Sequence, residues 1–142
     1  MRSLALMVLS LCVLSGGCEK GPPRKATFPV TGTVLVDGKP ADQVAVRCVP
    51  VEGMDQADPT ESAAFTNAEG KFAIATYMKG DGVPVGSYVL TFEWGQWNYI
   101  SMQHGGPDKL KGKYTNPKTS ASTFEVREGQ PTDLGTIELK TQ

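Results

Sequence analysis

Histidine is nearly absent, with His104 the one imidazole in 142 residues. A lone histidine excludes His-pair metal centres and leaves nucleophilic catalysis only His104 as its base, and no G-x-S-x-G elbow presents a serine to it. Cysteine is scarce as well. Of Cys12, Cys18 and Cys48, the first lies in an apolar leader, so the mature chain keeps two and no disulfide framework can form. Charge of one sign is missing: 14 basic against 15 acidic residues give a net charge of −1 and no field to attract nucleic acid. A phosphate loop is missing too, because five residues rather than four lie between Gly32 and Gly38 and Pro40 stands where a magnesium-binding hydroxyl belongs. No cofactor and no metal are expected. The longest apolar run, Leu4 to Leu14, is eleven residues broken by Ser10. As a helix it measures about 16 Å, against about 30 Å of hydrocarbon, so it cannot span a bilayer.

What is present begins with that run. Arg2, the apolar stretch and the small residues Ser15, Gly16 and Gly17 form a secretory leader over residues 1–17, so the protein is expected to be exported. Cys18 after small residues resembles the lipobox of bacterial lipoproteins, with Leu14 one position further from the cysteine than that pattern usually has it. The resemblance implies lipidation at Cys18 and a membrane-tethered body facing the periplasm or the cell surface. Two or more acyl chains hold stably where one is marginal. Residues 18–29, with the run EKGPPRKATFP, carry neither apolar period and are expected to act as an extended Pro-rich tether.

From Val30 the period is two. Val30, Val34 and Val36 lead to an Asp37-Gly38 turn, and Val44, Val46 and Cys48 share a face up to Pro50. Thr66 to Gly70 predicts a hairpin turn resumed by Phe72 and Ile74; Tyr88, Leu90 and Phe92 mark a fifth strand; Phe124 with Val126, and Ile137 with Leu139, mark the sixth and seventh. Seven short strands with a turn signal about every ten residues predict an all-β fold, a seven-stranded antiparallel β-sandwich over residues 30–142 without a disulfide. The fifteen residues just named from Val30 to Leu139 at strand positions, with Cys48 among them as an inert buried thiol, are its expected core.

The segments V-T-G-T-V-L-V-D-G-K-P-A (30–41), V-A-V-R-C-V-P (44–50), T-N-A-E-G-K-F (66–72) and G-S-Y-V-L-T-F (86–92) resemble the carboxypeptidase-regulatory-like domains. These are transthyretin-like (prealbumin-like) sandwiches, akin in architecture to immunoglobulin domains. Small bacterial lipoproteins carrying this one domain share the G-K-Y-x-x-P segment found here at Gly112–Pro117. The resemblance implies a fold and a location, and no reaction: the transthyretin-like hydrolases use several histidines and a C-terminal tyrosine, which this chain lacks.

Two segments are candidates for function. Glu52, Asp55, Asp58 and Glu61 lie within ten positions and could supply the oxygen ligands calcium needs, but without an EF-hand pattern they are expected to be a solvated loop. The longer candidate runs from Trp94 to Pro117 and holds Trp94, Trp97, Tyr99, His104 and Tyr114 beside Lys109, Lys111 and Lys113. Connections of that length often carry function, and aromatics with basic neighbours suit an envelope protein partner or a stacked sugar ring. The alternative is that the loop folds back over a sheet edge. The expectation is a non-catalytic, membrane-anchored envelope module, with carbohydrate binding through residues 94–117 as the alternative and an enzyme built on His104 as the least favoured reading.

Overall fold

The computed structural model describes residues 23–142, so the leader and the Cys18 lipidation site lie outside the described residues. The described chain contains twelve strands and no helix. Alternation builds the first long one. In β2 (Val30–Val36) the valines point inward while Thr31 faces solvent and Thr33 and Leu35 are half-buried. Asp37 and Gly38 both adopt positive φ, 50° and 79°. Two consecutive left-handed residues make the hairpin turn whose twist matches its strands, and β3 (Lys39–Pro40) folds back on β2.

One sheet is antiparallel throughout, in the order β11 (Thr123–Val126), β8 (Gly86–Glu93), β4 (Ala45–Pro50), β5 (Ser62–Phe65). The other places β2 between β12 (Thr132–Leu139) and β3, with β6 (Lys71–Ala73) also paired to β2. Two short pairs complete the set: β1 (Thr27–Phe28) with β7 (Val83–Pro84), and β9 (Gln96–Asn98) with β10 (Gln103–Gly105). Inward residues of both larger sheets share one buried cluster, in which Val30, Val34 and Phe72 meet Val46, Leu90 and Phe92. The fold is thus all-β with several antiparallel sheets around a common core.

Thirteen of the fifteen expected core residues are buried; Phe124 and Ile137 are half-buried and pack against the cluster from its rim. Cys48 is buried, and loss of hydration pushes its thiol up to about 12, the condition of an inert cysteine.

Three expectations need correction. The last strand is not antiparallel: β12 runs parallel to β2, because the turn after β11 carries the chain from one sheet to the other. Hydrophobic alternation reports which face is buried and is blind to direction. The Thr66–Gly70 turn forms, with the Asn67 Oδ1 accepting from the N–H groups of Glu69 and Lys71 at 3.0 and 2.9 Å. Its flanking strands, however, do not form a hairpin ladder. β5 pairs with β4 and β6 with β2, so the chain changes sheets here and a single bridge, Ala63 to Ala75, joins the two arms. Buried Thr66 makes the crossing possible, its Oγ1 donating to the Ala41 carbonyl at 2.6 Å and accepting from the Val44 N–H at 2.9 Å. Finally, the strands number twelve, in four sheets, where seven were expected. The additional ones are two- and three-residue pieces too short to show a period.

The body has two distinct ends. At one, Lys25 Nζ sits 2.8 Å from Asp55 Oδ2 and β1 clasps β7, so the last part of the expected tether is held against the body. At the other lie the Asp37–Gly38 turn, the Asn67–Gly70 turn and the C-terminus, where Thr141 Oγ1 donates to Asp37 Oδ2 at 2.6 Å. β8 runs from the first end to the second over eight residues, about 24 Å at about 3.3 Å each.

Candidate functional site

The connection from Trp94 to Pro117 leaves the end of β8 and divides into a presented half and a packed half. The packed half is organised by Asp108. Its Oδ1 accepts the N–H groups of Trp94 and Leu110 at 2.8 and 2.9 Å, and its Oδ2 accepts that of Gly112 at 2.8 Å. Partial burial opposes ionisation, but these three donors outweigh it and hold the carboxyl below the ordinary range. The turn so fixed drops Leu110 into the core, completely buried. Beyond it, Phe92 N–H donates to the Tyr114 carbonyl and Leu90 N–H to the Ser122 carbonyl, both at 2.9 Å, so the returning chain covers the edge of β8 that β11 leaves open.

Three of the five expected contact residues belong to this packing. Trp94 Nε1 donates to the Asp42 carbonyl at 2.9 Å, and Lys109 Nζ lies 4.6 Å from the centroid of the Trp94 ring. Tyr114 meets Phe92 edge-on at 6.4 Å, and its hydroxyl accepts the Lys140 N–H at 2.9 Å. His104 packs on Phe65 at 4.7 Å, with Nε2 3.1 Å from the Gln43 carbonyl. The imidazole is thus held by a ring on one side and a backbone carbonyl on another, while Cys48 lies in the core.

The other two are presented. β9 and β10 form a hairpin at the end of the body, with Trp97 opposite His104 and half-buried, and Tyr99 82% exposed at its tip while bordering the same hollow as Asp42, Trp94 and Lys109. Sequence reasoning missed their companions: Ile100 is 98% exposed and Met102 66%. The tip is built rather than slack. Asn98 Oδ1 accepts the N–H groups of Ile100 and Ser101 at 2.9 and 3.1 Å, and the hairpin root is closed so tightly that a Cβ on Gly95 would lie 2.7 Å from the Gly105 carbonyl oxygen. The legible signal for this tip was an absence: from Gly95 to Pro107 the chain has no Asp, Glu, Lys or Arg.

The acidic loop is committed elsewhere. Asp55 bonds Lys25 and caps the N–H of Ala57, while Glu61 pairs with Arg47 at 2.9 Å, so at least two of its four carboxylates are engaged with the protein itself. A surface groove of about 830 Å³ crosses the outside of β2 over Thr31, Thr33, Lys71, Asp133 and Thr136 and reaches Gln43 and Phe65, on which His104 packs.

The Asp108 turn makes a pH prediction. A carboxyl whose folded pKa lies below its unfolded value of about 3.9 contributes stability that is complete above that value and is lost as pH falls through the folded pKa. Wild-type unfolding free energy should therefore drop on acidification below about pH 4, and Asp108→Asn should lower it by roughly 1 to 2 kcal/mol at neutral pH while flattening the acid limb. Denaturant titrations at a series of pH values test this, and an unchanged acid limb would assign the acid sensitivity to the other lowered carboxyls, among them Asp81, whose partial burial is outweighed by the backbone N–H groups around it.

No family model and no curated protein matches this chain. Among solved structures it is similar to a 9R-lipoxygenase from Cyanothece, with 17% identity, a TM-score of 0.39, 84% of this chain covered and 17% of that protein. The chain therefore spans about a sixth of that protein's length.

Proposed function

We propose that this chain is a non-catalytic, membrane-anchored envelope lipoprotein whose β-body presents the β9–β10 hairpin to a partner. One observation carries the reading: the tip of that hairpin stands at the end of the body opposite the one where the N-terminal segment leaves. Lipid at Cys18 fixes one end, and the turn from half-buried Trp97 to exposed Met102 is offered by the other. The body itself is read as a transthyretin-like sandwich of the carboxypeptidase-regulatory-like kind. Supporting this are the two larger sheets sharing one core and strands at each of the seven expected positions. The packed state of His104 supports the absence of catalysis.

The anchor is tested by fractionation. Cys18→Ala should move the protein from the membrane to the soluble fraction, and mass analysis of the wild type should find acyl groups on the mature N-terminus. Retention of the variant on membranes, or a bare terminus, refutes the anchor.

A second reading, neutral-glycan binding, is favoured by the amides of Gln96, Asn98 and Gln103 interleaved with Trp97 and Tyr99, an uncharged set of the kind that meets sugar hydroxyls and ring faces. Retention on insoluble polysaccharide that disappears in Trp97→Ala would establish it.

A further inference from the structure

Four properties of the hairpin tip bear on what it touches. It is apolar where it is most exposed: Ile100 is almost entirely in solvent, with Tyr99 and Met102 beside it. Charge is excluded from the whole stretch Gly95–Pro107. The charges that follow are of one sign, since residues 94–118 contain Lys109, Lys111, Lys113 and Lys118, all exposed, and one acid, Asp108, whose carboxylate is spent on backbone N–H groups. The tip is also rigid before it meets anything, fixed by the Asn98 turn and rooted by the Trp94 and His104 bonds to the body.

An aromatic and aliphatic apex without charge, with Lys109 beside it and further exposed lysines following in the chain, is the chemistry of a bilayer interface. Tryptophan and tyrosine settle at headgroup depth, aliphatic side chains reach the acyl boundary, and lysines set back from the apex meet anionic headgroups. A sugar offers hydroxyls and a ring face; it gives no use for an almost fully exposed isoleucine or for the exposed lysines that follow it in the chain.

We infer that the Trp97–Met102 tip is a second membrane contact, a wedge that enters the headgroup region of a lipid surface containing anionic lipid. This rests on the anchored reading and extends it. From Cys18 to Lys25 are seven residues, at most about 24 Å of extended chain at about 3.4 Å each. β8 alone carries the body about 24 Å from the anchored end towards the hairpin. A tether of that reach lets the body recline, so lipid at one end and wedge at the other lay the domain along the same bilayer. Once the anchor is in place, the wedge acts at high effective concentration, and a small apolar apex is sufficient.

The chain carries its own probe. Trp94 and Trp97 are its two tryptophans, and the Trp94 ring is covered by Lys109. The mature full-length protein is reconstituted into vesicles of phosphatidylcholine with a minority of phosphatidylglycerol, and its emission is compared with and without bromine on the acyl chains. Flotation reports the anchor; quenching reports the tip. The Trp97 contribution should be about halved by brominated lipid, the quenching should vanish in Trp97→Phe, and it should fall at least about twofold in Ile100→Asp with flotation unchanged. Because Ile100 is exposed, circular dichroism of that variant should match wild type. Protein that floats without quenching overturns the wedge and leaves the anchor standing. Quenching that persists undiminished in Ile100→Asp also overturns it, since nearness to lipid would then come from tethering alone. Protein that neither floats nor is quenched overturns both readings. An emission change with a soluble neutral oligosaccharide in the absence of lipid quenching assigns the tip to glycan.

Discussion

Gly82→Ala is expected to destabilise the domain by about 3 to 5 kcal/mol, a large part of the roughly 5 to 15 kcal/mol that a domain of this size possesses. Gly82 has φ of +96°, outside the range an L-residue adopts without strain, and a Cβ there would lie 1.8 Å from the Phe28 carbonyl oxygen and 2.7 Å from the Pro29 nitrogen. The obstacle is backbone, so no rotamer change relieves it. Relief requires β1 to part from β7, which would release the N-terminal segment of the described chain from the body. Gly80, two residues earlier, supplies the control. Its φ of +72° is also left-handed, yet the nearest atom to an added Cβ is 3.9 Å away, so Gly80→Ala should cost only the conformational term, about 1 kcal/mol. Urea unfolding of the two variants separates strain from collision. Equal midpoints would mean that the β1–β7 clasp contributes nothing to the fold.

The contrast marks where sequence reading reaches its limit. The cluster Lys79-Gly80-Asp81-Gly82 was legible as a break between strands because glycine and aspartate favour turns, but nothing in it says which glycine is crowded; that depends on Phe28, more than fifty positions away. The same division holds for the sheets. Val30, Val34 and Val36 announced a strand and its buried face, since period two is a local property, whereas the parallel pairing of β12 and the sheet change at Thr66–Gly70 are relations between distant segments. In the candidate site, five aromatic or imidazole residues were visible as a group. Their separation into Trp94, His104 and Tyr114, which hold the loop down, and Trp97 and Tyr99, which it presents, turns on partners such as the Asp42, Gln43 and Lys140 backbone groups. Ile100 and Met102 escaped notice because an apolar residue in a sequence is assumed to be buried, and only their uncharged surroundings hinted otherwise.

Leu110→Ala should produce the second large effect, about 2 to 5 kcal/mol, although the residue lies in what the sequence reads as loop. Leu110 has no exposed surface, lies in the same buried cluster as Phe92 and Leu90, and is set by the Asp108 turn, so its neighbours cannot easily close over the space that truncation leaves. The loss should also be felt locally. Lys109 N–H bonds the Trp94 carbonyl at 3.0 Å and Phe92 N–H the Tyr114 carbonyl at 2.9 Å, and both bonds depend on the loop remaining seated. Hydrogen exchange should therefore show these two amides losing protection in Leu110→Ala more than Val46 or Cys48 in the adjoining strand. Tyr99→Ala, at the exposed tip of the same connection, should stay within about 0.5 kcal/mol of wild type. If both substitutions are tolerated equally, the connection is not part of the core, and the hairpin it supports loses the rigid footing on which a presented tip depends.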